Sequence, residues 1–216
     1  MAKARVVQDS LKKKGIDLLF VYVPGKGVGC REFIEDKYVH PVKATNHALF
    51  LKYGKHAGVN TLDLVTWFEK IRTGSPYPLF PRFGHHWSYY GECLAVDTII
   101  RHISALHGKR LPYIAWEDVE VSDTARHRDA DVLKSMNLRS DPDQRMKLAY
   151  PRVMFEEDPQ LNTTRVLTIS DSYWYGPVYM GVGKHVFAGG QFWYYFNKIV
   201  PAPGGVKTEV WELDLR

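Results

Sequence analysis

The sequence is poor in the features that mark secreted disulfide proteins, membrane proteins and metal proteins. Its two cysteines, Cys30 and Cys93, allow at most one disulfide and indicate no redox compartment. No apolar run approaches the roughly 18 residues of a membrane span, and no signal-peptide core precedes the first helical pattern. Walker, His-Glu-x-x-His and paired-cysteine patterns are missing. We therefore expect a globular protein, either cytoplasmic or trimmed from a longer exported one.

The charge gives little reason to expect a nucleic-acid partner. The 216 residues carry a net charge of +5, but the lysines and arginines are dispersed. The only tight basic cluster, Lys12-Lys13-Lys14, lies on a predicted solvent-exposed helix face. Because no recognition motif accompanies the charge, we predict that the protein does not bind nucleic acid.

Helices are predicted where apolar residues recur every three or four positions. Three such segments are residues 4–14, 44–57 and 178–186. The clearest pattern follows Ser88, a plausible N-cap, and ends at Gly108. It places four aliphatic residues at i, i+3, i+4 and i+7: Val96, Ile99, Ile100 and Ile103.

Short aliphatic runs that end in turn signals predict strands at 16–23, 59–64, 113–121, 166–169 and 208–213. The first and fourth runs are typical of buried strands. Residues 122–162 are polar and are predicted to form an irregular insertion with one helix near 129–136. Strands alternating with helices predict an α/β fold, a three-layer sandwich with a mainly parallel sheet, in one domain over residues 1–216.

Ser172 is the candidate nucleophile. It directly follows the predicted strand at 166–169, where open α/β sheets hold their ligands. A serine there can attack an acyl group if a histidine reaches it, and backbone N–H groups of the turn are candidates for an oxyanion hole. An ordinary turn ordered by Asp171 is the alternative.

His86 is the candidate general base, because it lies on a loop just before a helix N-terminus. A packed, hydrogen-bonded histidine is the alternative. Three further residues are candidates for substrate binding: Lys26, Trp87 and Trp174. For Lys26 the alternative is a solvated loop, and for the two tryptophans it is core packing.

Three segments occur here in an order that one family shares: Val21-Tyr22-Val23-Pro24-Gly25-Lys26, Gly84-His85-His86-Trp87-Ser88-Tyr89-Tyr90-Gly91 and Ile169-Ser170-Asp171-Ser172-Tyr173. The chain resembles the SGNH-hydrolase-like domain of the alginate O-acetyltransferase family from about residue 6 to about residue 200. Ordinary SGNH hydrolases carry the serine first and the histidine last. In this chain, as in that family, the histidine comes first.

The resemblance implies that Ser172 is the nucleophile and His86 the general base. Gly84 stands where the alginate members of the family place the aspartate that orients the histidine, and Ser170 replaces the glycine that opens the serine motif. Another carboxylate is then needed to orient His86. Asp129 and Asp131 are the candidates, and we assign the role to Asp131.

The function implied is acetyl transfer to, or ester hydrolysis on, a cell-surface polysaccharide. The family implies a carbohydrate substrate, a membrane-bound O-acyltransferase as acyl donor, a periplasmic or other extracytoplasmic location, and no metal or organic cofactor. With a carbohydrate substrate, Trp87 and Trp174 are candidates to stack on sugar rings. With neither anchor nor signal in view, a trimmed domain is expected. One alternative, favoured by Gly84, is a carbohydrate-binding or scaffold module that has lost catalysis. A cytoplasmic lipase-like esterase is the other, and the order of the motifs disfavours it.

Overall fold

The computed structural model describes residues 1–38, 44–138, 146–195 and 198–201. The predicted strand at 208–213 lies outside these residues. The helices described are α1 (Ala2–Lys12), α2 (Lys26–Gly29), α3 (Asn46–Ala57), α4 (Leu64–Arg72), α5 (Tyr89–His107), α6 (Asp131–Ser135), α7 (Tyr175–Met180) and α8 (Val182–His185). The strands are β1 (Phe20–Tyr22), β2 (Thr61–Asp63), β3 (Ile114–Ser122), β4 (Leu148–Phe155), β5 (Val166–Ser170), β6 (Gly190–Tyr194) and β7 (Lys198–Pro201). Short 3₁₀ helices add Arg31–Phe33, Asp36–Tyr38 and Ser172–Trp174.

The described residues group into two compact units. Unit 1 comprises Met1–Gly91 and Thr124–Leu148, and unit 2 comprises the described parts of Glu92–Asp123 and Ala149–Arg216. We describe each unit by itself. The prediction of one domain over residues 1–216 stays a prediction.

Unit 1 is built around the parallel pair β1–β2 and an aromatic core beneath α4. Strand β1 pairs with β2 from Phe20 opposite Thr61 to Tyr22 opposite Asp63. The ring of Phe68, on α4, stacks on Trp87 and meets Phe80 edge-on. Burial of such large rings is a main source of a core's stability. Because Trp87 belongs to this aromatic core, the core supports the loop that carries His86.

Unit 2 combines two small sheets with an aliphatic core. Strand β3 pairs with β4, while β6 lies between β5, to which it is parallel, and β7, to which it is antiparallel. Apolar side chains of α5, of α8 and the two residues after it, and of the start of β3 with Leu111 before it form one cluster: Val96, Ile100, Leu111, Ile114, Val182, Val186 and Phe187. The aliphatic spacing predicted in α5 is therefore the spacing that builds this core.

Two predicted strands are less buried than their composition suggests. The run at 16–23 forms only β1, whose three residues are all half-buried and which, among the described residues, pairs with β2 alone. Strand β5 forms as predicted, but its exposed fraction alternates, and Leu167 and Ile169 are 51% and 68% exposed. The prediction of a buried β5 is wrong, because the described residues cover only one of its two faces.

The predicted insertion at 122–162 is more regular than expected. Helix α6 lies inside the segment predicted to be helical, but residues at the other end form strand β4. Pro151 interrupts the strand pattern in sequence, since proline cannot donate a ladder hydrogen bond. The structure accommodates it inside the strand, where it is buried.

The α/β class is confirmed, with sheets of two, two and three strands among the described residues. The three-layer, mainly parallel arrangement stays a prediction. Within the described part of the chain, none of the helices combines the length and the apolar character that crossing a bilayer requires.

Candidate active site

Two side chains cap the start of α5 and so fix the end of the loop that precedes this helix. The Ser88 hydroxyl accepts a hydrogen bond from Gly91 N at 3.0 Å and donates one to Pro78 O at 2.6 Å. Ser88 therefore caps α5, as predicted. The buried Asp129 carboxylate accepts a second bond, from Tyr89 N at 3.1 Å. Both caps satisfy backbone donors that a helix start leaves unpaired, so the residues just before the helix are held in place.

His86 is buried in this loop, only 6% exposed, and the carboxylate of Asp131 contacts its ring. Asp131 Oδ2 lies 3.0 Å from His86 Nδ1, and Oδ1 accepts a hydrogen bond from His85 N at 2.8 Å. One carboxylate thus holds both the ring and the backbone of the preceding residue. With the Nδ1 proton directed at Asp131, the neutral ring keeps its acceptor lone pair on Nε2.

Helix α6 is tied to the same loop through its backbone. The N–H groups of Val132 and Leu133 donate to Phe83 O at 3.1 and 3.3 Å. Gly84 allows the loop and the segment before α6 to approach each other closely. A Cβ at position 84 would lie 2.5 Å from Pro81 Cγ and 2.9 Å from Asp129 O. The loop and the start of α6 therefore form one closely packed arrangement, and Asp131 is the first residue of that helix.

Arg128 also contacts His86. Its Nη2 lies 2.6 Å from Nε2 and 2.9 Å from Nδ1 of the imidazole. A single atom this close to both ring nitrogens lies against the face of the imidazole and not along the lone pair of either nitrogen. The positive guanidinium is therefore adjacent to the ring that would receive a proton.

These surroundings lower the pKa of His86 below the ordinary 6.5. Burial is the largest cause, since it penalises the charged ring, and the Arg128 charge adds to it. The hydrogen bond and the charge of Asp131 act in the opposite direction, and the charge of His85 again lowers the pKa. His86 is therefore neutral at pH 7, the protonation state that a general base requires.

Lys26 ties the loop after β1 to the loop that carries His86. Its ammonium donates to Arg82 O at 2.6 Å and to Gly84 O at 2.7 Å. Burial lowers its pKa, and the charges of Cys30 and Asp131 oppose that shift. In this structure Lys26 supports the backbone two residues before His86, and its predicted contact with substrate stays a prediction.

The two tryptophans lie in packed surroundings. Trp87 is 2% exposed and stacks on Phe68 in the core of unit 1, so neither face of its indole is open to a sugar ring. The sugar-stacking interpretation of Trp87 is therefore wrong, and core packing explains the residue. Trp174, in unit 2, is half-buried and lines a small cavity with Val178, Phe187 and Phe192.

Ser172 opens the 3₁₀ helix that follows β5 in unit 2, directly beyond the strand's carboxyl end. Asp171 Oδ1 accepts a hydrogen bond from Tyr173 N at 2.9 Å, so Asp171 orders the turn as expected. Its carbonyl accepts a longer bond from Trp174 N, at 3.4 Å. Two amides of the turn are thus engaged with Asp171, and neither is assigned to an oxyanion hole.

The structure brings His86, Asp131 and Lys26 into one cluster within unit 1, and Ser172 and Trp174 into one turn of unit 2. The contact of Arg128 with His86 was not predicted, because a single arginine in a polar segment carries no sequence signal of its own. Across residues 1–38, 44–138, 146–195 and 198–201, no three His, Cys, Asp or Glu side chains are grouped to hold a metal ion.

Residues 1–164 match the family model described as SGNH hydrolase-like domain, acetyltransferase AlgX. The chain belongs to this family, and the resemblance seen in its motifs is confirmed. The match ends before β5, so the role of Ser172 does not rest on it. A comparison with curated proteins finds no match.

Three solved structures are similar in fold. The O-acetyltransferase domain of Pseudomonas putida AlgJ has a TM-score of 0.51 at 16% identity, covering 81% of this chain and 62% of that domain. Pseudomonas aeruginosa AlgX has a TM-score of 0.50 at 16% identity, covering 76% of this chain and 42% of AlgX. Bacillus cereus PatB1 has a TM-score of 0.54 at 14% identity, covering 88% of this chain and 78% of PatB1. At such identities the likeness shows the fold alone.

Proposed function

We propose that the protein is an SGNH-type O-acetyltransferase or acetylesterase, with Ser172 as nucleophile, His86 as general base and Asp131 as the residue that orients His86. The observation that carries the proposal is the contact of buried His86 with half-buried Asp131 in a chain of the acetyltransferase AlgX family. The position of Ser172, just past the carboxyl end of β5, supports the nucleophile assignment.

In the proposed reaction Ser172 Oγ transfers its proton to His86 Nε2 as it attacks the acetyl carbonyl carbon. Asp131 stabilises the imidazolium through Nδ1–H. The tetrahedral intermediate collapses, the proton passes from His86 to the leaving oxygen, and an acetyl group remains on Ser172. A sugar hydroxyl, or water, then gives its proton to His86 and attacks the acetyl-enzyme. The bond from Ser172 Oγ to the acetyl carbon breaks, and His86 returns the proton to Oγ, which regenerates the free serine.

The acceptor we propose is a cell-surface polysaccharide in the periplasm or another extracytoplasmic compartment. A membrane-bound O-acyltransferase is the proposed acetyl donor. These assignments rest on the family to which the chain belongs. Purified protein incubated with p-nitrophenyl acetate, with and without candidate polysaccharides, tests the proposed acceptor. Acetyl on the polysaccharide with intact Ser172 and none with Ser172→Ala supports transfer, whereas acetate release that no glycan alters indicates a simple esterase.

The second candidate is a carbohydrate-binding or scaffold module without catalysis. Gly84 favours it, because the aspartate of the alginate members is missing at that position. A fluorophosphonate probe separates the two functions. Labelling that disappears in Ser172→Ala supports the enzyme, and glycan binding without any labelling supports the module.

A further inference from the structure

We infer that a row of tyrosine rings beside the Ser172 turn binds the glycan chain that accepts the acetyl group. This surface, which we call the tyrosine row, consists of Tyr179, Tyr175, Tyr194 and Tyr195, all in unit 2. The inference rests on the proposed function and goes beyond it, because it assigns residues that hold the acceptor. The occupant is a chain of several sugars and not a single sugar or a small alcohol.

The four rings contact one another in succession. Tyr179 stacks on Tyr175, one turn earlier in α7, with ring centroids 6.1 Å apart and an interplanar angle of 22°. The centroid of Tyr194 lies 5.3 Å from that of Tyr175 and 5.0 Å from that of Tyr195. Aromatic pairs at such separations attract each other. The row is therefore one connected surface in which each ring is held by a neighbour.

The ends of the row are open to solvent and its middle is anchored. Tyr179 is 74% exposed and Tyr195 is 56% exposed, whereas Tyr175 and Tyr194 are half-buried. Tyr175 also meets the buried ring of Phe192 edge-on, with centroids 5.1 Å apart. Tyrosine offers a large contact area with few rotatable bonds, so holding a ligand on such rings costs little conformational entropy.

The chemistry of tyrosine suits a glycan better than a purely apolar partner. The flat ring can cover the C–H face of a pyranose, while the hydroxyl at its edge exchanges hydrogen bonds with sugar hydroxyls. Burial raises the pKa of Tyr194 above the ordinary 10.0, and the neighbouring Tyr195 and Tyr175 act in the same direction. The charge of Asp171 adds to this shift, so the Tyr194 hydroxyl stays a neutral donor at pH 7.

The tyrosine row adjoins the proposed nucleophile. Tyr175 begins α7, three residues after Ser172. Strands β5 and β6 are parallel, with Ser170 paired with Tyr194, so their carboxyl ends lie at the same edge of the sheet. Tyr195 N donates a hydrogen bond to Ser170 O at 3.1 Å. A chain bound along the row would therefore reach the turn at which a sugar hydroxyl attacks the acetyl-enzyme.

Calorimetric titration of Ser172→Ala protein with hexasaccharides tests the row, because this variant forms no acetyl-enzyme and binding is measured without turnover. The probes are cellohexaose, N-acetylchitohexaose and an alginate hexasaccharide. We expect at least one to bind, and the disaccharide of the same series to bind more weakly. Adding Tyr179→Ala or Tyr195→Ala should weaken binding about tenfold, whereas Tyr179→Phe and Tyr195→Phe keep the ring and most of the affinity. Tyr113→Ala, at a position of unit 2 that is 45% exposed, is the control.

Weaker binding in at least one alanine variant, with the Tyr113→Ala control unchanged, supports the tyrosine row. Binding that neither alanine variant alters overturns it, and so does the absence of binding by all three hexasaccharides. Equal affinity for the disaccharide overturns the extended chain. Dimerisation in analytical ultracentrifugation that Tyr195→Ala abolishes would identify the row as an interface between two copies and overturn its role in glycan binding. Wild-type protein that is never acetylated at Ser172 would overturn the proposed function, while the titrations would still decide on the row.

Discussion

Gly84 and Asp129 lie so close together that no side chain fits at position 84. A Cβ there would lie 2.9 Å from the carbonyl oxygen of Asp129, 3.0 Å from that of Arg128 and 2.5 Å from Pro81 Cγ. The space that an aspartate would need at position 84 is thus filled by the segment that leads into α6. The carboxylate of Asp131 reaches His86 from that segment instead.

Side chains introduced at Gly84 should therefore destabilise the protein and should not improve catalysis. We expect Gly84→Ala to lower the free energy of unfolding by about 1–3 kcal/mol, as overpacking typically does, and Gly84→Asp to lower it at least as much. Urea unfolding measures the change. Gly74→Ala is the control, because a Cβ at Gly74 meets no atom within 4 Å. A Gly84→Asp variant of full stability and higher activity would contradict this account of Gly84.

Asp131→Asn should leave the fold intact and reduce turnover. The amide oxygen can still accept the bond from His85 N, but the imidazolium that forms on proton transfer loses its counter-charge. In serine proteases the corresponding change costs about 10⁴-fold in turnover, and we expect a loss of that order. The rate of ester hydrolysis measures it, with Asp123→Asn as an exposed control. Activity close to that of the wild type would show that Asp131 does not orient the base.

Lys26→Met should loosen the loop that carries His86. The methionine keeps most of the apolar stem, while Arg82 O and Gly84 O lose their charged donor. Leaving a partly buried acceptor unpaired costs about 1–3 kcal/mol, and we expect a loss of stability in that range. Urea unfolding checks this, with Lys55→Met, at an exposed position of α3, as the control. A stability equal to that of the control would show that the ammonium adds nothing to the loop.

His86 should make the protein less stable in mild acid. Its pKa in the folded protein lies below the ordinary 6.5, so the unfolded chain binds more protons at pH values between the two. Stability from this group is complete above about pH 6.5 and is lost as the pH falls towards the lower, folded-state pKa. Urea midpoints measured from pH 7.5 to 5 should fall more steeply for the wild type than for His86→Gln. Parallel curves would contradict the direction of the shift.

The sequence predicts the parts of this fold that depend on local patterns. The spacing of Val96 and Ile100 predicts α5, and Ser88 predicts its start, because caps and helical periodicity act over a few residues. The burial of β5 is not predictable in this way. An aliphatic run looks the same whether one or both of its faces are covered, and coverage depends on distant elements.

The residues of the candidate site also differ in whether short sequence motifs predict them. His86 and Ser172 are predicted from short motifs, and Asp131 from the need for a carboxylate that Gly84 cannot provide. Arg128 is not, because its contact with His86 depends on how residues 128–131 pack against Gly84. The burial of Trp87 against Phe68 is tertiary as well, and it overturns the prediction that Trp87 stacks on a sugar ring.

The central claim is that Ser172 carries the acyl group and His86 activates it. Mass spectrometric mapping of the acetylated residue, after brief incubation with p-nitrophenyl acetate and acid quenching, tests this most directly. The account predicts acetyl on Ser172 in the wild type and in the neighbouring control Ser170→Ala, and a loss of that modification in His86→Gln. Acetyl on another residue, or equal acetylation of Ser172 in His86→Gln, would contradict the account.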